Sequence, residues 1–83
     1  MKDDIVKPMM VYGHEIPAET VAQAINWMTD GGGFEAASLR AFLKARGFSF
    51  FVCAMAERLI AKARRDGLIE FDNFYRVWRK VQK

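Results

Sequence analysis

Apolar residues return at helical spacing in three stretches of this chain and at strand spacing near its end. Ala18, Val21, Ala22, Ile25 and Met28 form the stripe of a first helix. Pro17 suits its first turn, and Glu19 complements the positive end of its dipole. Gly31-Gly32-Gly33 is expected to end it, because glycine tolerates the left-handed conformation of a C-cap. A second helix is predicted from about Glu35 to Ala45, with Leu39, Phe42 and Leu43 buried and Arg40, Lys44 and Arg46 outward. Gly47 stops it. Ser49 can then cap a third helix from about Phe50 to Arg65, since a serine oxygen accepts a bond from an orphan N–H. Gly67 is its expected left-handed C′ residue.

The period then changes. Leu68–Phe71 and Phe74–Trp78 are rich in β-branched and aromatic residues and are separated only by Asp72-Asn73, which predicts a tight two-residue hairpin turn. That register puts Leu68, Tyr75 and Val77 on one face and Ile69, Phe71, Phe74 and Trp78 on the other. Both faces are largely apolar, so the pattern leaves open which one is buried. At the other end, residues 1–13 read as an extended arm packed on a body of residues 14–83. Pro8 argues against a helix there, and Met9–Tyr12 is a candidate strand, with the Met9-Met10 pair as core filler.

The chain has 83 residues, 52% hydrophobic and 13% aromatic, which suits one small domain with a dense core and no disordered body. Cys53 is the only cysteine and His14 the only histidine, so no disulfide, metal site or cofactor is expected. The acidic start Met1–Asp4 does not resemble a signal peptide, and no apolar run approaches the roughly 18 residues that span a bilayer. A soluble protein of the reducing cytoplasm, without membrane contact, is the expectation.

Charge changes the picture more than composition does. The net charge is only +3, yet residues 1–35 hold two basic and six acidic groups, while residues 36–83 hold eleven basic and four acidic ones. A half carrying +7 attracts polyanions, nucleic acid foremost. A solvated basic surface without a ligand accounts for the charge equally well.

The order helix, helix, tight turn, helix, hairpin is joined by the stretch Arg58-Leu59-Ile60-Ala61-Lys62-Ala63-Arg64-Arg65-Asp66-Gly67-Leu68-Ile69-Glu70. Together they resemble the winged-helix (winged helix-turn-helix) superfamily over about residues 18–79. The resemblance implies a mainly α fold with a small β-hairpin, a three-helix core plus a two-stranded wing. It also implies binding of double-stranded DNA, with the third helix in the major groove. Ser49 and Phe50 would then lead the recognition helix, Arg58 and Arg65 would lie along its exposed side, and Arg76 would lie on the wing. The nucleic-acid-binding set is Lys44, Arg46, Ser49, Arg58, Arg64, Arg65 and Arg76.

The third helix also carries a contrary signal. At 100° per residue, Val52, Met55, Ala56, Leu59, Ile60 and Ala63 form its core face. The opposite side holds Phe50, Cys53, Ala54, Glu57, Ala61, Arg64 and Arg65, flanked by Phe51 and Arg58. Base reading uses Arg, Asn, Gln, Ser or Thr, mainly from the front half of the helix, and that half is Phe, Phe, Cys and Ala. An apolar outer face suggests a cover: the N-terminal arm, a second copy, or another protein. The alternative function is therefore a protein-interaction adaptor or homodimer using Phe50, Phe51, Cys53 and Ala54.

No catalytic residues and no small-molecule substrate are expected. The triple glycine follows a helix and precedes Phe34-Glu35, whereas a phosphate loop needs a strand before it and Lys-Ser/Thr after it. Cys53 reads as a semi-buried small residue, His14 as a surface or turn residue, and Glu70 and Asp72 as solubilising. Trp27 and Trp78 read as packing residues. The resulting expectation is a small regulator of transcription or replication.

Overall fold

Tyr12 and Gly13 take φ of 52° and 80° and fold the chain back between two strands, β1 (Met9–Val11) and β2 (His14–Ile16). Positive φ at both central positions matches the turn twist to the strand twist. The register pairs Met9 with Ile16, Met10 with Glu15 and Val11 with His14. Met9, Val11 and Ile16 turn towards the core, and Val11 and Ile16 are fully buried. Met10 lies on the other face and is exposed, so only Met9 of the methionine pair is core filler. The candidate strand Met9–Tyr12 is thus one residue shorter and has a partner that its own pattern did not reveal. The coordinates, a computed structural model, describe residues 7–48 and 50–81.

Three helices follow: α1 (Ala18–Asp30), α2 (Ala36–Ala45) and α3 (Val52–Arg65). Pro17 is the N-cap of α1 rather than a first-turn residue, and Ala24 is fully buried where Ala18 and Ala22 are only half-buried. In α2, Leu39 and Leu43 are buried and Phe42 half-buried, while Arg40 is half-buried instead of outward. Gly47 follows with φ of 94°. The start of α3 is Val52, two residues later than its periodicity suggested, with Phe51 as N-cap and no side-chain cap bond. The expected cap Ser49 lies outside the described residues. All six residues of the predicted core face of α3 are buried. Gly67 has φ of 76°, and the Leu68 N–H donates to the Ala63 carbonyl at 2.9 Å, as a left-handed helix end requires.

The glycine run works differently from the expectation. Gly31 is extended, with φ −93° and ψ −176°, and the positive φ of 147° falls on Gly33. Gly33 feeds Phe34 into an antiparallel bridge with Trp78, in which each N–H donates to the other's carbonyl at 2.8 and 2.9 Å. A Cβ on Gly33 would lie 3.1 Å from Val77 Cγ2 and 3.4 Å from the Trp78 carbonyl oxygen. Close backbone approach, rather than helix capping, is what needs glycine here.

The second hairpin joins β3 (Ile69–Asp72) to β4 (Val77–Lys80), with Phe71 opposite Trp78 and Asp72 opposite Val77. The turn is therefore Asn73–Arg76, not the two residues Asp72-Asn73. Ile69, Phe71 and Trp78 share a face as expected, and Ile69 is its buried member. Phe74 and Tyr75, expected in the second strand, are exposed in the loop. The described residues form a small mixed α/β domain of three helices and two antiparallel hairpins. Among the described residues no polar or charged residue is buried.

Candidate nucleic-acid interface

Helix α3 is set by its buried stripe, which fixes what its other side presents. Phe50 is 88% exposed, and Cys53, Glu57, Arg58, Ala61, Arg64 and Arg65 are exposed as well. Cys53 is thus an open thiol rather than a semi-buried one. Phe51 and Ala54 are half-buried and pack on the core. The β1–β2 hairpin flanks the start of this helix. The His14 ring, exposed as expected, stacks on Phe51 at 4.9 Å and 7°, and Arg58 Nη1 donates to the Met10 carbonyl at 3.3 Å. The hairpin thus covers Phe51, while Phe50 and Cys53 stay open. Of the four residues named for a protein interface, two are turned to the domain's own use.

The named cations are spread over three elements. Lys44 and Arg46 sit at the end of α2, Arg58, Arg64 and Arg65 along α3, and Arg76 in the β3–β4 loop. Arg46 is the most engaged. Its guanidinium lies 4.6 Å from the Phe42 ring centroid and donates to Gln23 Oε1 at 2.5 Å. Arg65 Nε is 4.0 Å from Asp66, whose carboxylate also lies 3.5 Å from Lys62. Arg65 itself is exposed, so its pair is worth little and leaves its charge available to a phosphate, whereas the Lys62 side chain is largely covered. Lys44, Arg64 and Arg76 are exposed. Glu57, in the middle of the open face, and Asp66, beside Arg65, add negative charge there.

Sequence reasoning took Asp72 for a solubilising group, and the structure gives it a positioning role. Its Oδ1 accepts the N–H of Phe74 at 2.9 Å and of Tyr75 at 3.1 Å, and its Oδ2 accepts Arg79 Nη1 at 2.6 Å. The Asp72 carbonyl accepts the N–H of Arg76, a residue with φ of 62°, at 2.7 Å. The signal was an aspartate, which bonds backbone N–H groups two residues on and so opens longer turns as readily as tight ones.

The Tyr75 N–H above all, with Arg79 and the Phe74 N–H, holds the Asp72 carboxyl below its ordinary value of 3.8, against partial desolvation. A carboxylate favoured by the folded state adds stability above its unfolded pKa and loses it as pH falls through the lowered folded value. The loop is therefore expected to stay ordered at neutral pH and to loosen only below 3.8. Loss of the distinct Phe74 and Tyr75 amide resonances would read this out. Asp72→Asn keeps an acceptor but does not titrate, so an acid transition that persists in it would refute the assignment.

Trp27 lies between Phe34 and Phe42, with ring centroids 5.3 and 5.1 Å away, and Trp78 meets Phe71 at 5.2 Å, so both tryptophans pack as expected. Among the described residues no group of three or more His, Cys, Asp or Glu could hold a metal ion, and no helix is long and apolar enough to cross a membrane. Glu70 is exposed on β3, opposite Arg79. The arrangement presents an open helix face with cations along it and an exposed loop whose backbone is bonded to Asp72. Comparison with family models, with curated proteins and with solved structures found no match for the chain.

Proposed function

We propose that the protein binds duplex nucleic acid in the winged-helix manner, with α3 as the helix presented to the duplex and the β3–β4 hairpin as the wing. A role in regulating transcription or replication would follow. The observation that carries this reading is the open outer face of α3, where Arg58, Arg64 and Arg65 are exposed and Phe50, met only edge-on by the His14 ring at 6.4 Å, is 88% exposed. The element order supports it too, since Phe34 between α1 and α2 joins the hairpin through Trp78. Affinity comes from cations on phosphates. Direct base reading is limited, because Phe50, Cys53 and Ala54 have no groups that match base edges.

Affinity for a DNA duplex is expected to fall with salt by a log–log slope of about −0.9 per phosphate contact. Replacing Arg65 and Arg76 together by glutamate should abolish binding while the melting temperature holds. Absence of binding at about 50 mM salt, where such contacts are strong, would overturn the proposal.

The exposed Phe50 ring favours a second reading, contact with a protein partner or a second copy through Phe50 and Cys53. Sedimentation of the wild type against Phe50→Asp distinguishes the two. Self-association lost in the variant supports the interface, because an unpaired charge in an interface core is costly.

A further inference from the structure

Phe74 and Tyr75 are exposed rings on an ordered backbone. Trp27, Phe42, Phe48, Phe51 and Trp78 all pack on the core, whereas Phe74 is 84% and Tyr75 67% exposed. Exposed aromatics on a loose loop would carry little meaning. Here the backbone is held at three points: the Phe74 and Tyr75 N–H groups on Asp72 Oδ1, and the Arg76 N–H on the Asp72 carbonyl. Arg79 in turn holds the Asp72 carboxylate. The two rings stand at 88° with centroids 4.8 Å apart, so each restricts the other's rotation. The loop is built to present them rather than to bury them.

The charge around the rings indicates what they meet. Asp72 and Arg79 neutralise each other, leaving Arg76 and Lys80 against Glu70 on the exposed surface of the hairpin. Arg76 directly follows the rings. An aromatic face beside a cation is the combination that holds an unpaired base and its phosphate: stacking tolerates any base, and the cation takes the backbone. We propose that the β3–β4 loop is a stacking site for unpaired bases, with Phe74 against the base, Tyr75 steadying the ring and Arg76 on the adjoining phosphate. The site rests on the nucleic-acid reading and narrows its ligand to a duplex with a single-stranded tail or opened end.

The test uses the full chain and four probes: a blunt duplex, the same duplex with a short single-stranded tail, that duplex with an abasic tail, and the single strand alone. The base-bearing tail should bind about tenfold more tightly than the blunt or abasic forms, since the abasic tail keeps the phosphates and lacks the rings. The Phe74→Ala/Tyr75→Ala chain should lose that preference and keep its blunt-duplex affinity. Its melting temperature should be unchanged, because the bonds to Asp72 are made by backbone N–H groups. Equal binding of base-bearing and abasic tails, or a preference that survives in the double variant, overturns the proposal. A double variant that sediments differently from the wild type, with no nucleic acid present, also overturns it, since the rings would then serve contact between copies. If the tailed duplex and single strand bind through the rings while the blunt duplex does not, the stacking site stands and the duplex reading falls. If no probe binds, both fall.

Discussion

Leu59→Ala is expected to lower stability by about 3–4 kcal/mol, the cost of lost burial plus the cavity left behind. Leu59 is fully buried at the middle of α3, within the stripe that packs this helix on the rest of the core. A chain of 83 residues has roughly 4–12 kcal/mol of stability in total, so this one change would remove a large share of it. Phe50→Ala, just before the N-cap of the same helix, removes a larger side chain that is 88% exposed and should shift stability by no more than about 0.5 kcal/mol. Urea midpoints of the two variants measure both. A Leu59→Ala chain as stable as the wild type would mean that α3 does not pack by this face.

Gly33→Val is expected to cost about 2–3 kcal/mol, from a strained backbone and a forced separation. Its φ of 147° is hard for any L side chain and worst for a β-branched one. The added Cβ would also press on Val77 Cγ2 and on the Trp78 carbonyl, the group that accepts the Phe34 N–H. Gly32→Ala is the control, since a Cβ there meets nothing within 4 Å and the backbone is not at positive φ. Thermal melts give the stabilities, and protection of the Phe34 amide against exchange reports the bridge. Equal effects of Gly33→Val and Gly32→Ala would show that the bridge does not depend on this glycine.

The asymmetry between these two glycines was not legible in the run Gly31-Gly32-Gly33. Any of the three can end a helix, and which one must lack a Cβ depends on a strand more than forty residues further on. The β1–β2 hairpin was hidden for a different reason. Its strands have three residues each, too short for an alternating pattern to stand out, and its turn Tyr12-Gly13 has only one glycine to mark it. At Asp72 the local chemistry was visible but ambiguous, because an aspartate serves a two-residue and a four-residue turn alike. The side chain's hold on Phe74 and Tyr75, reinforced by Arg79 from the partner strand, selects the longer loop.

The sequence by itself determined the three helices and the second hairpin, the whole buried face of α3 and the left-handed Gly67. These follow from periods and end signals confined to a few consecutive residues. Helix spacing set Lys44, Arg46 and Arg64 outward, whereas Arg58, Arg65 and Arg76 were named as candidate cations from the resemblance to winged helices. Their standing in the fold was decided by distant partners: Phe42 and Gln23 beside Arg46, Met10 at Arg58, and Asp72 behind the loop that carries Arg76. The structure alone also decided that His14 stacks on Phe51 while Phe50 stays open, and that Phe74 and Tyr75 leave the sheet for solvent. Local spacing specifies which face of an element is apolar, but exposure is the sum of everything that packs against it, and that is a property of the tertiary structure.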